Sequence, residues 1–314
     1  MSLLNEKEPN VHKVVFVGLD NAGKTSIILS LLREISKFAT IKPTRNAERR
    51  FFEFLGMSIS EWDLGGHERY RKYYLENFEL IFRGTDILIY VIDIQDNKRI
   101  KESYNYLDQI IINLSELKLN PPIHVFFHKN DPDKTQNIKI SIDNKISYLK
   151  GKIEEFHDYN KFSFYKTTVF DLSSIIYAMS EILLTLYPRS KVIDTALREF
   201  VNKSEVEGVE LIDDNSLIIS SYYQNDKIKE ILTHVNPFFL RLMDEFGKLD
   251  SLNENKENQM IVERFERNFI FRQFNLIKDA APFYIFLCTV EPVLDENNFN
   301  ALIKILRDIL SHEV

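Results

Sequence analysis

Cysteine is nearly absent from this chain: Cys288 is the single one in 314 residues. That excludes an internal disulfide framework and any cysteine-based zinc site, and it fits a reducing compartment. Glycine and proline are scarce, nine of each, beside 44% hydrophobic and 28% charged residues. Such a composition excludes bulk disorder and fibrous repeats. No stretch approaches the roughly 18–20 uninterrupted apolar residues of a membrane helix. The opening MSLLNEKEPN is too polar for a signal peptide, position 2 is Ser rather than a myristoylatable Gly, and SHEV holds no prenylatable Cys. Positive charge is also short: 40 Lys+Arg stand against 47 Asp+Glu, a net of −7. That balance does not suit general nucleic-acid binding. The sequence predicts a soluble, cytoplasmic protein with no nucleic-acid partner and no direct membrane insertion; any recruitment to a membrane would go through a partner.

What is present is a change of pattern along the chain. Up to Pro188, strands and helices alternate. Apolar runs at 12–19, 86–93 (DILIYVID), 123–127 (IHVFF) and 162–166 read as strands of a buried parallel sheet. Runs at 50–55 and 58–64 flank Gly56-Met57 as an antiparallel hairpin. Helical stretches are expected from about Gly23 and over 98–117, 142–157 and 173–187. This order points to a doubly wound α/β domain over 11–188 with a mostly parallel six-stranded sheet, after a flexible 1–10. Beyond Pro188 the order becomes α-β-β-α-β-β-β-α. It begins with a helix over about 190–202, includes a long amphipathic helix that Pro237 should kink or break, and implies an α+β domain over 189–314 with a five-stranded antiparallel sheet. Phe283–Val290, apolar throughout, wants cover on both faces, which a paired domain would supply. The charge is divided unequally: 25 basic and 25 acidic residues up to Pro188, 15 against 22 after it.

Gly18-Leu19-Asp20-Asn21-Ala22-Gly23-Lys24-Thr25 satisfies GxxxxGK[ST], between a strand and a helix. Small residues let backbone N–H groups of Asp20, Asn21, Ala22, Gly23, Lys24, Thr25 and Ser26 wrap phosphates at a helix N-terminus. Lys24 can reach the β- and γ-phosphates, and the Thr25 hydroxyl can ligate Mg²⁺. Three further segments decide which nucleotide. Glu61 to Glu68 (EWDLGGHE) places Asp63 for the Mg²⁺ shell and Gly66 to offer an N–H to the γ-phosphate. His128-Lys129-Asn130-Asp131 puts a carboxylate where guanine N1 and N2 would donate to it, with Lys129 along the base. Adenine would leave Asp131 desolvated and unpaired. Thr168 and Val169 can offer a backbone N–H to the guanine oxygen.

GLDNAGKTS resembles the P-loop of Arf-family GTPases. WDLGGHERY, IFRGTDILIYVIDIQD, the HKND motif with His where Asn is usual, and KTTVFD resemble Rag/Gtr GTPases more closely. The second-half element order is similar to the roadblock (longin-like) domain that follows the G domain in Rag proteins. The resemblance spans nearly the whole chain. It implies GTP and GDP as ligands, Mg²⁺ as cofactor, two switch segments read by activating and exchange factors, and homo- or heterodimerisation through the second domain. Thr44 is the switch I candidate for Mg²⁺, with Thr40 as competitor. His67 stands where these families usually carry a Gln that orients the attacking water; it reads either as a catalytic group beside Lys24 and Gly66 or as a solvent-facing switch residue. Arg69 and Arg71 read as solvated faces of the switch II helix, with an arginine-finger role as the alternative. Tyr70, Tyr73 and Tyr74 read as effector surface or as packing. His12, His124, His157 and His234 have no metal-ligand spacing and read as strand-edge or surface histidines. Three functions therefore stay open: a slow Rag-type GTPase switch, a nucleotide-locked scaffold that does not hydrolyse, and an Arf-like trafficking GTPase.

Overall fold

The computed structural model describes residues 11–32, 37–38, 41–156, 159, 161–204, 206–249, 259–275, 281–291 and 295–310. Thr40, His157 and the 253–258 loop lie outside the described residues. The chain divides into two compact units, Met1–Ala178 and Met179–Val314.

The first unit is built on β1 (Val11–Gly18), β2 (Ala47–Phe54), β3 (Met57–Leu64), β4 (Ile87–Asp93), β5 (Ile123–His128) and β6 (Phe162–Thr167), in the order β2-β3-β1-β4-β5-β6. Every neighbouring pair is parallel except the β2–β3 hairpin. Phe54 pairs with Met57 across that hairpin, so the turn is Leu55-Gly56, one residue earlier than expected. The middle strands are apolar throughout because both faces are covered: Val14–Val17, Ile87–Ile92 and Ile123–Phe127 along β1, β4 and β5 are buried, His124 included. Helices α1 (Lys24–Leu31), α2 (Glu68–Glu76), α3 (Phe78–Phe82), α4 (Ile100–Glu116), α5 (Gln136–Phe156) and α6 (Leu172–Leu184) fill the connections. Helix α4 buries Tyr106, Leu107, Ile110, Ile111 and Leu114, the spacing of one helical face. Helix α5 begins at Gln136 rather than Ile142: its first turns are exposed, Ile138 and Ile140 included, so no buried apolar face marks them. Parallel strands deliver their carboxyl ends to one edge of the sheet, where ligands bind in open α/β folds.

The last turns of α6 belong to the second unit, where Ser180 Oγ accepts a hydrogen bond from the Ile218 amide at 2.7 Å. That unit contains α7 (Ser190–Ser204), β7 (Gly208–Ile212), β8 (Ile218–Tyr223), α8 (Asp226–Leu249), β9 (Gln259–Arg264), β10 (Arg267–Phe274), β11 (Phe283–Thr289) and α9 (Glu296–Leu310). Its antiparallel sheet runs β8-β7-β11-β10-β9. Phe286 and Phe271 face α8, with the Phe239 and Phe286 rings 4.9 Å apart. The opposite face meets α7 and α9, through Ser220 to Asp194 at 2.6 Å and Phe274 against Phe299 at 5.8 Å.

Two expectations are corrected here. The chain's own helices already cover β11, with Tyr284 to Thr289 buried, so that strand gives no reason to invoke a partner. Helix α8 runs through Pro237 as one element, so the proline does not break it. Asn236, Phe239 and Leu240 around the proline are buried, and Asn236 Nδ2 donates to Glu210 Oε2 at 3.0 Å. Tertiary packing on both sides of Pro237 outweighs the hydrogen bond the proline deletes.

Candidate nucleotide site

The P-loop leaves β1 and enters α1 at the carboxyl edge of the first sheet. Gly23 takes the left-handed region at φ 100°, and a Cβ there would lie 2.4 Å from the His128 ring, so no other residue fits. No side chain caps α1, whose first turn carries no acidic residue. Its leading N–H groups are thus left for an anion, reinforced by the helix dipole. Lys24 is buried in the mouth of this cradle. Its Nζ donates to the carbonyls of Leu19 at 2.9 Å and Gly18 at 3.2 Å. Burial pushes its ammonium down to about 8, against the pull of Asp63 and Asp20. A buried cation whose contacts are neutral carbonyls is poised for phosphate oxygens. Asn21 is exposed, Ala22 is buried, and Ser26 is half-buried with its carbonyl accepting from Ser30 Oγ at 2.8 Å.

Thr25, Thr44 and Asp63 converge beside Lys24. The Thr25 hydroxyl donates to Asp63 Oδ2 at 2.6 Å, and Thr44 Oγ1 lies 3.2 Å from the same oxygen and 3.1 Å from Thr25 Oγ1. Asp63 is fully buried, and among the described residues its Oδ1 has no hydrogen-bond partner. An orphaned carboxylate oxygen costs about 1–3 kcal/mol or more. With two hydroxyls it makes a hard, all-oxygen donor set of the kind Mg²⁺ takes. These residues fit that ion.

Gly66 backs onto the P-loop: a Cβ there would sit 2.1 Å from the Asp20 amide nitrogen and 2.2 Å from the Leu19 carbonyl carbon. His67 caps α2, its exposed Nδ1 accepting from the Arg69 amide at 3.4 Å. The three tyrosines separate. Tyr74 is buried, its hydroxyl accepting from the Gly65 amide at 3.1 Å, so it packs; Tyr70 is half-buried and Tyr73 exposed. Arg71 departs from the expected solvated face: Nε donates to the Gly66 carbonyl at 2.9 Å, Nη2 pairs with Glu102, and the guanidinium lies over Tyr106. Arg69 stays exposed, stacked on Tyr70.

The loops expected to face the base follow β5 and β6. His128 is buried, with Nδ1 2.9 Å from Thr167 Oγ1 and its ring against Gly23; burial pushes its pKa down to about 4, which keeps it neutral near pH 7. Its contacts join the base loop to the P-loop. Lys129 adopts φ 62° and pairs with Asp93 at 2.7 Å. Asp131 accepts from Thr168 Oγ1 at 2.7 Å and from Gln95 Nε2 at 2.6 Å. Val169 follows, half-buried. Two neighbours of the site escaped the sequence reading. Gln95 also donates to the Lys129 carbonyl at 2.6 Å, and Arg99 grips Asp20. Both lie in the IDIQDNKR stretch at the carboxyl end of β4, a position that is itself a signal.

Residues 13–243 match the Gtr1/RagA G protein conserved region. The chain belongs to the Gtr1/RagA G protein family. This family member is accordingly a GTP-binding regulatory switch and a GTPase. It is 26% identical over 259 residues to Ras-related GTP-binding protein A of Dictyostelium discoideum, covering 78% of this chain and 83% of that protein. It is 35% identical over 126 residues to ADP-ribosylation factor-like protein 3 of Chlamydomonas reinhardtii, covering 40% and 67%. Among solved structures, the Arl6 (BBS3) small GTPase of Trypanosoma brucei with a bound GppNp analogue matches at 20% identity. It covers 56% of this chain and 96% of that one at a TM-score of 0.39, a loose likeness.

Proposed function

We propose that the Gly18–Ser26 loop cradles the phosphates of GTP or GDP, that Thr25, Thr44 and Asp63 hold Mg²⁺, and that Asp131 with Lys129, Thr168 and Val169 reads guanine. The observation that carries this reading is the meeting of the Thr25 and Thr44 hydroxyls on Asp63 Oδ2, beside the buried Lys24, with Asp63 Oδ1 left without a partner among the described residues. Bound there, Mg²⁺ would neutralise charge on the β- and γ-phosphates. Lys24 and the first N–H groups of α1 stabilise charge that develops as water attacks the γ-phosphorus in line. Gly66 presents its backbone to that phosphate, as its contact with Leu19–Asp20 allows. His128 supports the P-loop from behind Gly23 rather than reading the base.

His67 acts on the attacking water only after releasing the Arg69 amide. Intrinsic hydrolysis is therefore slow, and an activating partner places the ring. His67→Ala lowers the partner-stimulated single-turnover rate by at least tenfold, whereas His67→Gln retains most of it. Equal rates for wild type and His67→Ala remove His67 from the mechanism; absence of turnover both with and without a partner is what would favour a nucleotide-locked scaffold.

The second unit, taken as a roadblock/longin-like domain over 189–314 after a G domain over 11–188, pairs two chains, identical or not. The support is an apolar stripe on α8: Phe238, Leu242 and Phe246, at i, i+4 and i+8, are 63%, 45% and 55% exposed. Such a face suits protein association. A dimer by light scattering that becomes monomeric in Phe238→Glu/Phe246→Glu supports the assignment; an unchanged mass removes α8 from the interface. We place the protein in the cytoplasm, where regulators engage the switch segments and a partner carries it to any membrane. No helix among the described residues is long and apolar enough to cross one.

A further inference from the structure

The loop that should receive phosphates carries one carboxylate, Asp20, among Gly18–Thr25. A negative group in an anion cradle opposes its ligand. Two contacts show which end of the cradle it occupies. The base-side His128 ring meets the loop at Gly23, whereas switch II meets it at the Leu19–Asp20 peptide through Gly66. Asp20 is therefore at the end away from the base, where a third phosphate would lie.

Arg99, the residue before α4, closes on it as a fork. Nη1 pairs with Asp20 Oδ1 at 2.8 Å, Nη2 donates to the Asp20 carbonyl at 2.9 Å, and Nε pairs with Asp96 Oδ2 at 2.8 Å. The planar guanidinium fixes both the side chain and the backbone of one loop residue, which an ammonium cannot do. We infer that Arg99 is a positioning residue that neutralises Asp20 and so sets the preference of the P-loop for a triphosphate over a diphosphate. This rests on the guanine-nucleotide reading of the site and adds to it a determinant of the switch's resting state. Without Arg99, Asp20 faces the extra charge of the γ-phosphate alone. The penalty falls on GTP more than GDP because the third phosphate is the closer one. Asp20 and Arg99 are 42% and 31% exposed, so solvent and salt moderate the effect.

The test is the affinity of the full chain for GTPγS and for GDP, each with Mg²⁺, by displacement of a fluorescent guanine nucleotide. The chains compared are wild type, Arg99→Ala, Arg99→Lys, Asp20→Asn and Asp20→Asn/Arg99→Ala. Arg99→Ala is expected to lower the GTPγS-to-GDP affinity ratio about tenfold, and Arg99→Lys to lower it less. The double variant, which removes the loop carboxylate together with its partner, restores the ratio. Salt at about 1 M, where the Debye length is about 3 Å, should shrink the Arg99→Ala effect. A ratio unchanged in Arg99→Ala overturns the inference. So does a fall that Asp20→Asn does not restore, which makes Arg99 a direct phosphate ligand instead. If wild type binds neither nucleotide, the site assignment beneath the inference is what fails.

Discussion

Lys24→Ala is expected to lower affinity for both GDP and GTP by roughly 10²–10³-fold, measured by displacement of a fluorescent guanine nucleotide. The side chain is buried in the proposed phosphate cradle, and among the described residues its Nζ donates to the Gly18 and Leu19 carbonyls. Phosphate oxygens would replace neutral acceptors with charged ones in a desolvated place, the condition under which an ion pair is strongest. Because burial holds the free lysine at about 8, the sign of the pH dependence follows. Below pH 8 the ammonium is already protonated and affinity is flat. Above it, binding must first restore the proton, so affinity falls as pH rises and the complex takes up protons. Calorimetry at pH 8.5 in buffers of different ionisation enthalpy reads that uptake, which Lys24→Ala abolishes. Wild-type affinity that stays level from pH 7.5 to pH 9.5 would remove Lys24 from the phosphate site.

Asp131→Asn should change which base is bound. A carboxylate accepts from guanine N1 and N2, while an amide also donates and so suits a 2-oxo base. Guanine nucleotides should lose about 10²–10⁴-fold and xanthine nucleotides should gain. The local fold tolerates the exchange. Asp131 is held by Thr168 Oγ1 and Gln95 Nε2; a hydroxyl can turn to accept, and the Gln95 amide can flip to meet a new donor. Competition of XDP and GDP against a fluorescent nucleotide reads the switch. A guanine preference that survives in Asp131→Asn means the base is read elsewhere.

Much of the site proposed here can be drawn from residue order. A phosphate loop is contiguous, so Gly18 to Ser26 can be proposed before the fold is known, and Asp63, Gly66 and Asp131 follow as residues at the ends of apolar runs. The strands of both sheets were likewise announced by their apolar patterns. The choice between Thr44 and Thr40 was open in the sequence because spacing alone does not bring a hydroxyl to a carboxylate. In the fold, Thr44 lies 3.2 Å from Asp63, while Thr40 lies outside the described residues.

Other features were misread because they depend on neighbours distant in sequence. His124 looked like an edge residue, yet it lies on β5 between β4 and β6 and is buried. Pro237 looked like a break until packing on both sides overrode local preference. Arg71 looked solvated, yet its partner Glu102 is 31 residues away on α4.

Local chemistry could be read without coordinates: the phosphate loop, the alternation of strands and helices, and the acidic excess after Pro188 are properties of adjacent residues. Which charges pair was decided only when the chain folded. Arg99 and Asp20 stand 79 positions apart, and no local pattern encodes their meeting. Parallel strands β1 and β4 bring the two connections to the same edge of the sheet, and a carboxylate in a phosphate cradle acquires its partner there.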